Sequence, residues 1–497
     1  MKKFVKPGNV SIITQSGGVG MSVLNLLANE GLGLNKFVSV GNMLNIDAED
    51  ILEFLIEDEG TELIFIYLES IRDGRKLMDY AKKSKKPILI FKANIGALGG
   101  NIAMSHTASL ASDDKVVDAA LKQAGIIRVS DATTLGNSLK ILELPPMRGK
   151  NLAIISRSGG HAVIAADACE LSGFKLAHFP EKYLREIESH FRASVIKLTN
   201  PLDLGDLFDL DVYAQIIEDT LSLENLDGII FLHTSLSDRE NITSRLLLEK
   251  IIEMSEKFDK PIAYYLSAAA SEIHHLKQNY NYPVFTQVVE TIRALEISHE
   301  QNSLTDNLKR EIKREKIKYN KDNVSNYLEL AKKDKRDLLL SEALGVLECY
   351  GIPTVQSKVA ANGEEVQQVA EEIGYPVAIK VISQQISHKS DVGGVQLNLM
   401  NGPAVKAAFD DMLARTKEAY PDVTIDGVLI QPMVTGGREI IIGGKNDPQF
   451  GPVVLVGLGG IFVEVFEESV IRVAPIDRDD AKKMVDELKG VQILKGA

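Results

Sequence analysis

Short apolar runs alternate with helix-period stretches along the first 300 residues. Residues 10–14, 36–40, 63–68 and 88–91 are compact β-rich runs, and 19–30, 48–57 and 74–85 between them carry apolar positions at helical spacing. This alternation predicts a parallel sheet with helices on both faces. The pattern restarts after Arg148-Gly149-Lys150, with strands at 152–156, 228–232 and 261–266 and a helix at 162–172. Both copies open alike: Ile12-Ile13-Thr14-Gln15-Ser16-Gly17-Gly18 and Ile154-Ile155-Ser156-Arg157-Ser158-Gly159-Gly160 each read as a strand, a Ser-Gly-Gly turn and a helix start. We read the pair as an internal duplication.

Residues 304–335 are dense in Lys, Arg, Asp, Glu and Asn and read as a solvated linker with some helix. Beyond 338 come a helix at 341–350, a strand at 377–381, a helix at 404–419, and strands at 427–433, 439–443 and 453–457. Strands that follow one another without helices predict an antiparallel sheet, hence an α+β domain. The predicted organisation is α/β throughout: two flavodoxin-like parallel-sheet domains at 1–146 and 147–300, a charged linker at 301–337, and an α+β domain at 338–497. That agrees with a prior of about one domain per 150 residues.

Bulk properties narrow the function. A net charge of −13 excludes a broad nucleic-acid surface but leaves room for a local phosphate pocket. Cys169 and Cys349 stand far apart without metal-type spacing, which fits a reducing cytoplasm. The start Met1-Lys2-Lys3 leads into Pro7-Gly8 without an apolar signal region, and no apolar run reaches the ~18 residues of a membrane helix. Neither nucleic acid nor membrane is therefore an expected partner.

The candidate chemistry lies at the strand ends. A helix N-terminus carries free N–H groups and a partial positive charge, so the starts at Ser16, Gly17, Gly18 and at Ser158, Gly159, Gly160 are candidate anion sites. His106 lies in the small-residue stretch Ser105-His106-Thr107-Ala108-Ser109, behind a glycine-rich approach from Lys92 to Gly100. It reads either as a solvated loop residue or as a nucleophile toward phosphorus, given a carboxylate that fixes its tautomer. Glu69, ending the apolar strand 63–68, is such a carboxylate or simply a surface acid.

These stretches resemble a known family. Gln15-Ser16-Gly17-Gly18, Gly41-Asn42 with Asp47, Leu68-Glu69-Ser70, Ser105-His106-Thr107 and Asn200-Pro201-Leu202-Asp203 occur in this order in NDP-forming acyl-CoA synthetases. That family includes the ADP-forming acetyl-CoA synthetases, within the succinyl-CoA synthetase superfamily. Residues 338–497 resemble its ATP-grasp domain, through Gly374 to Lys380, Ser387 to Val395, Gln431-Pro432-Met433, Gly437-Arg438-Glu439, Asp447 to Pro452, Gly457 to Gly460, and Arg472 before Ala474-Pro475.

The resemblance implies an acid–thiol ligase that interconverts acyl-CoA, ADP and phosphate with acid, CoA and ATP. His106 matches the phosphorylated histidine, Glu69 the residue that orients it, and His388 a second histidine proposed to relay phosphate. Lys380, Gly393, Gly394, Gln431, Met433, Glu439 and Arg472 would bind ATP or ADP. Glu464 and Glu468 would hold Mg²⁺, with Glu468 where the family usually has Asp. Family members usually open on a Rossmann-like CoA-binding domain, and this sequence begins just before their second domain and ends short of their closing segment. The expected partners are therefore an acid, CoA, a nucleotide, a separate CoA-binding domain or subunit, and further chains in a homo- or hetero-oligomer. The alternatives are a non-catalytic fragment that binds nucleotide or a partner chain, and a succinate–CoA ligase.

Overall fold

The computed structural model describes residues 5–96, 113–189, 198–205, 207, 209–310, 318–386, 389–460 and 469–496. The first third runs β1 (Pro7–Thr14), α1 (Gly17–Glu30), β2 (Leu34–Ser39), α2 (Ala48–Glu57), β3 (Leu63–Leu68), α3 (Gly74–Lys83), β4 (Ile88–Lys92), α4 (Asp114–Gln123), β5 (Ile126–Arg128) and α5 (Ala132–Ile141). Its five strands are parallel in the order β2-β1-β3-β4-β5. Every residue of β3 is buried, as expected for a strand covered by helices on both faces.

The second third repeats the plan: β6 (Asn151–Ser156), α6 (Gly159–Leu171), β7 (Lys175–Leu176), α7 (Glu181–Glu188), β8 (Leu202–Asp203), α8 (Leu210–Leu221), β9 (Gly228–Thr234), α9 (Asp238–Phe258), β10 (Ile262–Ser267), α10 (Ala270–Asn279), β11 (Val284–Phe285) and α11 (Val288–Leu308). Five strands of its six-stranded sheet run β7-β6-β9-β10-β11, and the sixth, β8, pairs with the end of β6. Strand by strand, the order of the five is that of the first sheet. Thr14 pairs with Tyr67 as Ser156 pairs with Leu232, and Leu68 pairs with Lys92 as His233 pairs with Leu266. The duplication expected from the two Ser-Gly-Gly turns thus holds in strand order and register.

The two sheets are stapled through α1. Glu30 at its end takes Lys140 of α5 at 2.9 Å and Lys277 of α10 at 2.8 Å. Burial opposes ionisation of Glu30, but the two ammonium groups outweigh it and hold its carboxyl below the usual range. Gly31 ends the helix at φ +70, and a Cβ there would lie 1.7 Å from the Lys277 carbonyl oxygen. Only glycine admits so close a crossing.

Two compact units divide the chain: 1–312 together with 440–497, and 313–439. The second contains α12 (Lys321–Lys333), α13 (Leu340–Cys349), β12 (Lys358–Ala360), α14 (Gly363–Ile373), β13 (Val377–Ile382), β14 (Val395–Leu399), α15 (Gly402–Ala419) and β15 (Gly427–Pro432). Its sheet, β12-β15-β13-β14, is antiparallel, as predicted for this part of the chain. The charged stretch read as a linker is largely helical, forming the end of α11 and all of α12.

Residues 440–497 form an antiparallel sheet of β16 (Ile440–Asp447), β17 (Gly451–Leu458) and β18 (Ser469–Val473), followed by α16 (Arg478–Asp486). This sheet shares the core of the first parallel-sheet domain. Phe450, Val453, Ile471 and Val473 are buried among Ile71, Leu77, Met78 and Val117. Gln123 exchanges two hydrogen bonds with the backbone of Val473. A Cβ on Gly74 would fall 2.4 Å from the Phe450 ring, so the first residue of α3 leaves the space that this ring fills. Phe450→Ala is expected to lower the unfolding free energy by about 3–5 kcal/mol in denaturant titrations and to expose 440–497 to protease. A loss under about 1 kcal/mol would show that this ring does not anchor the sheet.

Candidate active site

The two helix starts are built alike. The Thr14 hydroxyl donates to Ser16 O at 2.7 Å and accepts from Ser16 N at 3.2 Å. The Ser156 hydroxyl treats Ser158 the same way, at 2.8 and 3.0 Å. Each hydroxyl turns the chain sharply from strand end to helix start. Ser16 then caps α1 by accepting from Val19 N at 3.4 Å. The tips differ in what faces them. Among the described residues a Cβ on Gly17 would meet nothing within 4 Å, whereas one on Gly159 would lie 2.6 Å from a carboxylate oxygen of Asp203. Among the described residues nothing crowds Gly17 at the start of α1, whereas the start of α6 has an acid against it.

Glu69 lies one residue past β3, next to the α1 start, and its main chain is gripped from both neighbouring strands. Gln15 Oε1 accepts from Glu69 N at 2.8 Å and from Ser70 N at 3.2 Å. From β4, Lys92 Nζ donates to Glu69 O at 2.8 Å and to Ala93 O at 2.5 Å. Lys92 is only 4% exposed. Burial pushes its ammonium down to about 8, with Arg128 adding to the shift and Asp114 and Glu69 opposing it. Arg128 is itself held by Asp114 at 2.6 and 3.1 Å. Lys92 escaped the sequence reading because it looks like the polar end of an apolar strand. The signal available was its place at the carboxyl end of a central parallel strand. Asn94, two residues on, has φ +61, and both its amide atoms are buried without a partner among the described residues. His106 lies outside the described residues.

The loop of residues 41–47 ends on Asp47, which caps α2 in a reciprocal box with Asp50. Glu49, in the same first turn, is wholly buried. Its Oε1 accepts from Asp73 N at 3.2 Å, tying the start of α2 to that of α3. Burial, reinforced by Asp47, pushes the Glu49 carboxyl up to about 7. An acid in a polar first turn gives no hint of burial, so sequence reasoning passed over it.

The residues matched to nucleotide binding fall in both units. Lys380 on β13 pairs with Leu429 of β15 and Val395 of β14, and Gln431 pairs with Ala378. Val377, Ile379 and Val381 face the helices in the core, so Ala378, Lys380 and Gln431 share the opposite face. Met433 N donates to Pro376 O at 2.8 Å, just beyond that sheet edge. Gly393, at φ +67, and Gly394 form the tight approach to β14, where a Cβ on Gly394 would collide with Val381 and the Lys389 carbonyl. Glu439 is exposed at the end of this unit. Arg472 stands on β18 in the other unit, with its guanidinium on Glu487 and the Ile471 carbonyl. It borders a cleft of about 1050 Å³. The Arg472, Arg128 and Arg310 side chains at this cleft are each engaged by carboxylates. His388, Glu464 and Glu468 lie outside the described residues, and among the described residues no carboxylate, histidine or cysteine cluster is set to hold a metal. No helix among them is long and apolar enough to cross a membrane.

Comparison with known proteins gives a consistent relationship. Residues 7–142 match the succinyl-CoA ligase like flavodoxin domain, and residues 329–497 match the ATP-grasp domain. The chain is 34% identical over 494 residues to acetate–CoA ligase [ADP-forming] I of Archaeoglobus fulgidus, covering 98% of this chain and 70% of that one. It is 33% identical over 506 residues to 4-hydroxybutyrate–CoA ligase [ADP-forming] of Nitrosopumilus maritimus, covering 100% and 71%. A solved acetyl-coenzyme A synthetase 1 of Ca. Korarchaeum cryptofilum, in complex with phosphate and ADP, superposes with a TM-score of 0.54 at 25% identity, over 61% of this chain and 67% of that one.

The raised carboxyl of Glu49 sets a pH dependence. The folded chain holds this proton more tightly than the unfolded chain, so the contribution of Glu49 is complete below pH about 4.5 and is lost as pH rises toward about 7. Glu49→Gln is expected to unfold like the wild type near pH 4.5 and to be more stable at pH 8, by about 2–3 kcal/mol. Chemical denaturation at the two pH values measures this, and an equal difference at both would remove Glu49 as the source.

Proposed function

This chain belongs to the family of ADP-forming acid–CoA ligases, and from that premise we propose that it interconverts acyl-CoA, ADP and phosphate with acid, CoA and ATP through a phosphorylated His106. In the ATP-forming direction, a phosphate oxygen attacks the thioester carbonyl and CoA leaves as thiolate, giving an acyl phosphate. An imidazole nitrogen of His106 then takes the phosphoryl group and the carboxylate leaves. ADP finally removes the phosphoryl group from the histidine, giving ATP and free imidazole.

The observation that carries this reading is the fixing of the Glu69 backbone beside the start of α1. Phosphate would rest on the free N–H groups at Gly17 and Gly18. Glu69 would accept the N–H of one imidazole nitrogen and leave the other to attack phosphorus. The helix start at Ser158 would supply a second set of N–H groups. The nucleotide would lie against the face that carries Lys380 and Gln431, with the ammonium on its phosphates, Gly393 and Gly394 over them, and Met433 and Glu439 at the base and ribose. His388 and the Mg²⁺ carboxylates Glu464 and Glu468 belong to the proposed set, as does Arg472 by resemblance alone. Mg²⁺, when bound, would neutralise phosphate charge.

The acid would be a short-chain carboxylate, in keeping with the acetate and 4-hydroxybutyrate ligases that the chain resembles. It would enter beside residues 41–47, where Leu44 and Ile46 are exposed. CoA would bind as a substrate on a platform outside the two units described here, on a separate domain or subunit.

Incubation with labelled Mg-ATP is expected to place acid-labile, base-stable phosphate on His106. His106→Ala should carry none, and Glu69→Gln should label at least about tenfold more slowly. Full labelling of His106→Ala would refute the assignment.

A further inference from the structure

We infer that Lys92 is a positioning residue for this phosphoryl transfer: from beneath the strand ends it fixes the peptide of Glu69 and the start of the segment that leads to His106. The inference rests on the proposed histidine chemistry and adds to it a residue that contacts neither phosphate nor nucleotide.

The chain carries its own control. The second parallel sheet repeats the first in strand order, register and turn chemistry. Through the strand pairing, Gln15 corresponds to Arg157, Glu69 to Thr234, and Lys92 to Leu266. The bond of Gln15 N to Tyr67 O is matched by that of Arg157 N to Leu232 O at the same distance, 3.0 Å. Leu266 is 1% exposed. The fold therefore closes this position with a plain aliphatic side chain, and a buried ammonium is not needed to end the strand. Burying one has a cost, because the charged form loses its hydration. In the second half the matching carbonyl, Thr234 O, is taken by the Arg157 guanidinium at 2.8 Å from the other side, so a buried lysine at this strand end is particular to the half that carries Glu69.

The ammonium has definite work there. It donates to Glu69 O at 2.8 Å and to Ala93 O at 2.5 Å, joining the end of β3 to the first residue beyond β4. Gln15 holds the other side of the same residue through Glu69 N. With both flanking peptides held, the Glu69 carboxylate has only its own side-chain torsions left to lose when it orients an imidazole. A charged donor makes stronger bonds than a neutral amine. The charged groups acting on Lys92 are Glu69 at the end of β3, Asp114 on α4 and Arg128 on β5. Asp114 acts on Lys92 most strongly of the three and also pairs with Arg128, while the hydrogen bonds of the ammonium run to Glu69 O and Ala93 O.

The test uses the full chain with labelled Mg-ATP and follows the rate of His106 phosphorylation from pH 6 to 9.5, beside ATP affinity and thermal unfolding. Lys92→Leu installs the residue that the second half carries. It is expected to bind ATP within about twofold of the wild type and to phosphorylate at least about tenfold more slowly. The wild-type rate should fall above pH about 8, where the ammonium loses its proton. Lys92→Leu should lack that limb, and Lys92→Arg, which stays charged, should recover part of the rate and also lack it. A merely structural lysine would slow the reaction without moving the limb. Wild-type labelling at His106 with Lys92→Leu unchanged in rate, or slowed but with the wild-type alkaline limb, overturns the role of Lys92 alone. A wild type that takes no label on His106 overturns this role together with the proposed function.

Discussion

A carboxylate can hold an imidazole in one tautomer only if the backbone that carries it does not move. Glu69 meets that condition in an uncommon way for a residue just past a strand. Its N–H is bound by a side chain from the strand on one side and its carbonyl by a side chain from the strand on the other. Gln15 is also the residue before the Ser16 cap, so the bond that fixes Glu69 sets its distance from the start of α1. The start of α1, the acid and the end of β4 are thus tied into one frame by two side chains. That frame stands on five parallel strands, with helices and the β16–β18 sheet packed around them.

The duplication shows how one architecture serves two purposes. Both halves use a hydroxyl at the strand end to turn into a Ser-Gly-Gly helix start. Only the first half places an acid just past its central strand, with an amide and a buried lysine holding its backbone. In the second half Arg157 instead donates to Thr234 O at 2.8 Å, and Asp203 lies against the helix tip. His233, one residue before Thr234, is wholly buried, and burial pushes its imidazole down to about 3. It is a core histidine on Ser244, not a second titrating group at the mouth.

Much of this was legible in the sequence, because local pattern encodes it. Alternating apolar runs showed the parallel sheets, and the repeated Ser-Gly-Gly turns showed the duplication. Glu69 stood out because it ends an apolar strand. What stayed hidden depends on contacts between distant positions. Phe450 fills a space left by Gly74, and no local pattern links residues 376 apart. Lys92 and Glu49 are charged residues in positions where charge is ordinary, and only the packing of neighbouring elements buries them. The nucleotide residues were found by resemblance. The structure adds that Lys380 and Gln431 share the sheet face turned away from the helices, while Arg472 belongs to a different compact unit.

The central claim is that Glu69 and His106 act as a pair. Its most direct test is a crystal structure of the chain after reaction with Mg-ATP. The account predicts a phosphoryl group on one ring nitrogen of His106 and the Glu69 carboxylate about 2.6–3.2 Å from the other. A phosphoryl group on another side chain, or a phosphorylated His106 whose free ring nitrogen is held by a different acceptor, would contradict it.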